Sequence, residues 1–101
     1  MKWKVEMHMK DSSVETFECP FEYGQVVWYA YPEHRLFRKD RWVVVRNRVS
    51  EVWTTNCFGI ALENGTHILE EWFDRVFTDK DAAIDFCIKK NMQHKIKVYN
   101  W

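Results

Sequence analysis

The histidines and cysteines of this chain are too widely separated to indicate a metal site or a catalytic nucleophile. No two cysteines have the spacing of about two to four residues at which structural zinc ligands occur. Cys57 and His67 lie ten positions apart across a predicted turn. With Glu63 or Glu70 they form the one set that resembles a nucleophile and its base. We interpret Cys57 as a buried strand residue and His67 as an exposed one, and we predict no catalytic residues and no metal.

The acidic pairs and the glycines have structural explanations as well. The neighbouring side chains of Glu70 and Glu71 point in divergent directions. Asp79 and Asp81 suit the positive N-terminal end of a helix. The chain has three glycines, too dispersed for a loop that cradles phosphate. The sequence therefore predicts a protein that is not an enzyme and needs no cofactor.

Charge is unevenly distributed, although the formal net charge is zero. Residues 34–50 carry a net charge of +5, residues 51–85 a net charge of −6, and the last sixteen residues +4. We therefore predict a bipolar molecule with a basic and an acidic binding face. The basic candidates are Arg35, Arg38, Lys39, Arg41, Arg46 and Arg48. The acidic candidates are Glu70, Glu71, Asp74, Asp79 and Asp81.

The basic stretch 35–48 is compatible with nucleic-acid binding. Cations follow phosphates and rings stack on bases in proteins that bind single strands, and Phe37 and Trp42 supply rings here. The near-neutral isoelectric point of about 6.9 argues against this function, because nucleic-acid-binding domains are usually strongly basic. Arg46 and Arg48 also fit the solvent face of a strand. Nucleic-acid binding is therefore the alternative function.

The aromatic content favours a protein-binding surface. Aromatic residues make up 17% of the chain, and so small a core cannot easily bury six Trp and four Tyr. Trp, Tyr and Arg dominate the binding energy of protein interfaces. The remaining rings are expected to fill the core. The candidates for exposure are Tyr29, Tyr31, Phe37, Trp72 and Trp101.

Length and composition exclude several classes of protein. The chain has 101 residues, the usual size of a single domain, and its aromatic content argues against disorder. The longest uncharged run, residues 52–62, is far shorter than the ~20 residues of a membrane span, and no signal peptide is recognisable. Three widely spaced cysteines indicate reduced thiols and a cytoplasmic location.

The first half of the chain has the alternation and turn residues of β-strands. Residues 2–18 predict an N-terminal hairpin, because apolar and polar residues alternate on both sides of a polar turn. Residues 26–31 predict a strand that ends at Pro32, and residues 33–40 predict a charged loop. Residues 41–55 predict a long, bent strand or two strands joined by a bulge near Asn47.

The second half combines a hairpin, a helix and a last strand. Asn64-Gly65 predicts a tight turn between strands at 57–62 and 67–69. A connector at 70–75 and a short strand at 76–77 follow. The helix is predicted at 79–91, with Thr78 as its cap and Asp81 completing a capping pair. Alternation returns over residues 95–101 and predicts the final strand.

These elements predict an α+β fold, mainly β with one helix in the C-terminal half, built as a small barrel or rolled antiparallel sheet. Four segments stand out: Tyr23-Gly24-Gln25-Val26-Val27-Trp28-Tyr29, the long strand from Arg41 to Val52, Gly59-Ile60-Ala61-Leu62-Glu63-Asn64-Gly65, and Arg75-Val76-Phe77-Thr78-Asp79-Lys80-Asp81-Ala82-Ala83. Over roughly residues 23–90 this pattern resembles small SH3-like β-barrel proteins of bacteriophages and prophages of Gram-positive bacteria. The barrel strands would occupy residues 23–77 of a single domain, 1–101.

The resemblance implies a phage or mobile-element origin and a non-enzymatic binding module, and it supplies no catalytic residues. We therefore predict a protein that binds a host protein or ribonucleoprotein complex in the bacterial cytoplasm, with no membrane partner. Inhibition of a host defence nuclease complex by steric occlusion, in the manner of an anti-CRISPR protein, is the specific hypothesis. The alternative is a nucleic-acid-binding barrel, and a third class is a structural component of the virion.

Overall fold

The computed structural model describes residues 3–8, 14–53 and 58–100, with side chains for residues 18–52 and 58–100. The described chain is mainly β-structure with one α-helix, which confirms the predicted α+β class. The chain divides into two compact units: the first comprises residues 1–25 and 48–73, and the second comprises residues 26–47 and 74–101.

The first unit contains the predicted N-terminal hairpin. Strands β1 (Trp3–His8) and β2 (Val14–Cys19) pair antiparallel, from Trp3 opposite Cys19 to His8 opposite Val14. The alternating pattern that predicted this hairpin therefore matches the observed pairing.

The first unit also contains a small antiparallel sheet. Its strands are β5 (Gly59–Leu62), β6 (His67–Leu69) and the last part of β4 (Arg38–Trp53). The predicted Asn64-Gly65 turn joins β5 to β6: Gly65 has φ +88°, and the Asn64 side chain accepts a hydrogen bond from the Thr66 N–H at 3.0 Å. Only glycine adopts such a φ without steric cost.

Strand β4 is the long strand that the sequence predicts, and its irregularity lies further along than Asn47. The pairing with β5 shifts between Val49 and Glu51. At the intervening Ser50, the hydroxyl donates to the Ala61 carbonyl at 3.1 Å and adds a hydrogen bond where the ladder is irregular. The small hydroxyl side chain therefore helps the sheet to accommodate the bulge.

The connector predicted at 70–75 is a 3-10 helix, Glu70–Arg75. In the first unit, its Phe73 ring packs edge-on against Phe21 and Phe58, with centroids 5.3 and 5.6 Å away. The Glu70 N–H donates to the Phe58 carbonyl at 3.0 Å. The first part of the connector, residues 70–73, is thereby fixed to the core of the first unit.

The sheet of the second unit is formed by β3 (Val26–Arg35), the first part of β4, β7 (Val76–Phe77) and β8 (Val98–Asn100). Strand β7 pairs antiparallel with β3, and β8 pairs parallel with β4 from Val44 opposite Val98 to Arg46 opposite Asn100. The strand predicted at 76–77 is confirmed. The final strand is present at 98–100, and Trp101 lies outside the described residues.

The predictions for Pro32 and for residues 33–40 are wrong. Strand β3 continues through Pro32 to Arg35, and a turn of two residues, Leu36 and Phe37, leads directly into β4. Among the described residues, β7 pairs with Trp28 and Tyr29 of β3, so Pro32 lies beyond that pairing and its missing N–H costs no bond to β7. The charged segment is therefore the end of a hairpin.

One face of this sheet is covered by helix α1 (Lys80–Asn91). The buried cluster beneath the helix consists of Ala30, Val44, Ala83 and Cys87. Ala83 and Cys87 are one helical turn apart, so both point at the sheet. Burial raises the pKa of the Cys87 thiol to about 11, which keeps it protonated at neutral pH. Among the described residues, no helix has the length and apolar character needed to cross a membrane.

The ends of α1 differ from the prediction in one respect. Asp79, and not Thr78, is the N-cap, because its carboxylate accepts from the Ala82 N–H at 3.3 Å. At the other end the helix stops at Asn91 as predicted, and Met92 adopts the left-handed conformation.

Candidate binding site at the β3–β4 hairpin

Two large apolar side chains project into solvent at the end of the β3–β4 hairpin. Leu36 is 76% exposed and Phe37 is 97% exposed. Single apolar side chains are common on protein surfaces, but a contiguous exposed apolar patch surrounded by polar residues often marks an interaction site. We define residues 35–39 as the hairpin tip.

Cations surround this apolar pair. Arg38 and Lys39 are exposed, and Arg35 is half-buried with its Nε donating to the Lys39 carbonyl at 3.0 Å. This bond crosses the hairpin from one strand to the other and holds the tip closed. The tip therefore presents an apolar apex with a positively charged base.

The backbone of Phe37 is in the left-handed region, with φ +61°. A residue other than glycine costs about 1–2 kcal/mol in this conformation, because its Cβ approaches the neighbouring carbonyl oxygen. With 97% of its surface exposed, the Phe37 ring gains almost no burial to offset this cost. A phenylalanine that the fold does not need, in an unfavourable conformation, is a reason to look for a function of the ring.

A polar cluster of Glu33, Arg41 and Tyr99 lies nearer the middle of the same sheet, and its carboxylate offsets the charge of Arg41. The Glu33 carboxylate accepts hydrogen bonds from Arg41 Nε at 2.8 Å and from the Tyr99 hydroxyl at 2.5 Å. Arg41 is therefore matched by a carboxylate, while Lys97 lies over the Tyr99 ring at 4.7 Å. This cluster joins β3, β4 and the C-terminal strand β8.

These hydrogen bonds stabilise the ionised form of Glu33. The Tyr99 hydroxyl, followed by Arg41, lowers the pKa of Glu33 below its ordinary value of 4.5, against an opposing effect of desolvation. The same contact with Glu33 raises the pKa of Arg41. A carboxyl with a lowered pKa stabilises the fold at neutral pH, and this contribution disappears when the group is protonated.

We expect Glu33→Gln to remove a stability contribution that is present above pH 4.5. The difference in free energy of unfolding between wild type and variant is predicted to be constant near neutral pH and to shrink as the pH falls below 4.5. Urea unfolding at several pH values between about pH 3 and about pH 7 measures this difference in free energy. Glu71→Gln, an exposed carboxylate in the first unit, is the control. A difference that does not change with pH would show that the Glu33 charge is not responsible.

The structure brings three of the six basic candidates together, namely Arg35, Arg38 and Lys39. Arg41 lies in the Glu33 cluster. Arg46 is half-buried in β4, paired in the sheet with β8, and Arg48 belongs to the first unit. The predicted basic face is therefore concentrated at the hairpin tip.

The aromatic candidates differ in how far their side chains are exposed to solvent. Phe37 and Trp72 are exposed as predicted, at 97% and 45%, and Tyr31 is half-buried. The prediction for Tyr29 is wrong: it lies on the same face of β3 as the buried Val27 and is itself buried, with its ring 5.9 Å from that of Tyr31. Trp101 lies outside the described residues.

The acidic candidates are all exposed, and they are divided between the two units. Glu70 and Glu71 begin the 3-10 helix in the first unit. Asp74, Asp79 and Asp81 belong to the second unit, where Asp79 caps α1 and Asp81 lies in its first turn. The two aspartates at the helix therefore have a structural role, as the sequence analysis allows.

Sequence analysis missed Leu36, Met92 and the contact between Asn91 and Trp42. The signal for Leu36 was available, because an apolar pair between Arg35 and Arg38 is unusual in a charged loop. The pair proposed as a nucleophile and base includes Cys57, which lies outside the described residues. Among those that are described, no group of three or more His, Cys, Asp or Glu side chains is placed to hold a metal ion.

The hairpin tip thus carries the features of a binding site: an apolar apex, a cationic base and an exposed ring on a residue with an unfavourable backbone conformation. Comparison with family models, curated proteins and solved structures finds no match to this chain.

Proposed function

We propose that this chain is a non-enzymatic protein-binding module that docks through its hairpin tip. The observation that carries the proposal is the exposure of Leu36 and Phe37 directly between Arg35 and Arg38. An apolar side chain that enters a pocket on a partner gains about 1.5–3 kcal/mol on full burial. Arginines at its base can pair with carboxylates or carbonyls around that pocket.

A protein partner fits the tip better than a nucleic acid does. The tip holds three cations, whereas affinity for nucleic acid is dominated by many phosphate contacts. It also offers Leu36 beside a single ring, and an aliphatic side chain does not stack on bases as an aromatic one does. Apolar anchors surrounded by polar groups are the usual composition of the energetic centre of a protein interface.

The proposed setting follows the resemblance to phage-encoded SH3-like barrels. In this proposal the protein acts in the cytoplasm of a bacterial host and binds a host protein or ribonucleoprotein complex. It inhibits a defence nuclease by covering a surface that the nuclease needs. We also propose that the fold is an SH3-like barrel, on the strength of the same resemblance.

The test is affinity capture from host lysate with wild type and Phe37→Gly, with and without nuclease, at low and high salt. Glycine keeps the left-handed backbone, so we expect stability to be unchanged or to rise by up to about 1–2 kcal/mol. Capture of a stoichiometric protein is expected to fall about tenfold or more, as for the loss of a central anchor. Tyr23→Ser, which alters a 70% exposed ring in the first unit, is the matched control.

Two results would contradict the proposal. Equal capture by wild type and Phe37→Gly would exclude the tip as the docking site. Recovery of nucleic acid alone, lost at high salt and on nuclease treatment, would replace the proposal with the nucleic-acid alternative, in which Arg35, Arg38 and Lys39 contact phosphates.

A further inference from the structure

Met92 has the same two unusual properties as Phe37. It is 90% exposed, and its backbone lies in the left-handed region with φ +57°. Among the described residues these two are the non-glycine residues with positive φ. Glycine or asparagine usually occupies this position after a helix, because a side chain with a Cβ is disfavoured there. The fold therefore gains little from a methionine at this position.

A hydrogen-bonded contact fixes Met92 relative to the hairpin. The side chain of the preceding Asn91 accepts from the Trp42 N–H at 2.7 Å and donates to the Trp42 carbonyl at 2.9 Å. Trp42 lies four residues along β4 from Arg38, a separation of roughly 13 Å in an extended strand. The end of α1 and the hairpin tip therefore lie within the span of one ordinary protein interface, which buries ~800 Å² on each partner.

Positive charge predominates between these two apolar points. Lys90 Nζ lies 5.6 Å from the ring centre of Trp42, and Arg38 and Lys39 are exposed at the tip. Two carboxylates lie among these cations and are outnumbered by them: Asp40 of β4 is 3.0 Å from His34 Nδ1, and Asp85 is 3.1 Å from Lys89 Nζ. The surface is therefore complementary to an acidic one.

We propose that Met92 is a second anchor of the binding site, and that the partner is a protein surface with carboxylates around two apolar pockets. We call Leu36, Phe37, Met92 and the cations between them the two-anchor surface. This inference rests on the proposed function and specifies its partner. Single-stranded nucleic acid is bound mainly through cationic grooves and stacked aromatic rings, whereas Leu36 and Met92 are aliphatic. A bilayer is also a poor fit, since stable attachment needs more apolar burial than three side chains provide.

A displayed library of random peptides of about twelve residues is the probe, because such a peptide can extend ~40 Å and reach both anchors. The full chain is panned at low salt, and selected peptides are synthesised and titrated by calorimetry. We expect them to combine Asp or Glu with aliphatic or aromatic residues. Phe37→Gly and Met92→Gly, which both keep the left-handed backbone, should each weaken binding about tenfold, as expected for anchors. Tyr23→Ser and Gln93→Ala should leave it unchanged.

Several outcomes would overturn the inference. These are peptides without acidic residues, no selected peptide at all, affinity unaffected by Met92→Gly, or tighter binding to a single-stranded oligonucleotide or to phosphatidylserine vesicles than to any peptide. Circular dichroism confirms that each variant is folded. If the lysate partner depends on Phe37 but not on Met92, the second anchor is wrong and the proposed function stands. If it depends on neither, the proposed function fails as well.

Discussion

Asn91→Ala is expected to lower the free energy of unfolding by about 2–4 kcal/mol. The variant loses two hydrogen bonds, of 2.7 and 2.9 Å, and leaves the N–H and the carbonyl of Trp42 without them in a partly buried position. Each lost bond contributes about 1 kcal/mol and each unsatisfied backbone group adds to the cost. The better helix propensity of alanine offsets only about 0.5 kcal/mol. Urea unfolding measures the change.

Two further variants identify the cause of this loss. Asn91→Asp keeps the acceptor for the Trp42 N–H, removes the donor to the Trp42 carbonyl and places a negative charge at the negative end of the helix. We expect it to be destabilised to a similar extent. Gln93→Ala, at an exposed position just beyond the helix, should change stability by less than about 0.5 kcal/mol. A small effect of Asn91→Ala would mean that water replaces both bonds.

Much of the fold could be predicted because its signals are local. Alternation gives the N-terminal hairpin, Asn64-Gly65 gives the second turn, and the apolar stripe gives the helix over 79–91. The segment 33–40 was mispredicted because proline and a high density of charge usually mark loops, while here strand pairing extends through them. Pairing between strands is a tertiary effect that overrides local preference.

The sequence predicts only the part of the candidate site whose charged residues are close together in the chain. Arg35, Arg38 and Lys39 are close in the chain and remain close in the structure. Arg41 was assigned to the same face, but its partner Glu33 is shared with Tyr99, which lies 66 positions away from that glutamate. A contact of such long range leaves no pattern in a single sequence, and the pairing of Asn91 with Trp42, 49 positions apart, was missed for the same reason.

Gly59→Ala is the second substitution with a large expected effect. A Cβ at this position would lie 2.6 Å from the Ile68 carbonyl oxygen and 3.3 Å from the Leu69 Cα, both of which belong to the backbone of β6. Gly59 is buried, and β5 pairs with β4 on one side and β6 on the other. A backbone atom in a sheet cannot move aside as a side chain can, so the strands must separate. We expect a loss of about 2–3 kcal/mol, as for other overpacked sites.

Thermal and urea unfolding of Gly59→Ala and Gly65→Ala together separate close approach from backbone conformation as the cause. Gly65 has φ +88° and open space around its Cα, so alanine there should cost only about 1–2 kcal/mol for the left-handed conformation. Gly59 has no such φ, and its cost arises from the collision with β6 alone. If Gly65→Ala were the more damaging of the two, turn conformation rather than the spacing of β5 and β6 would be the stricter requirement on this hairpin. If Gly59→Ala is the more damaging, as we expect, the close approach of the two backbones explains why glycine begins β5.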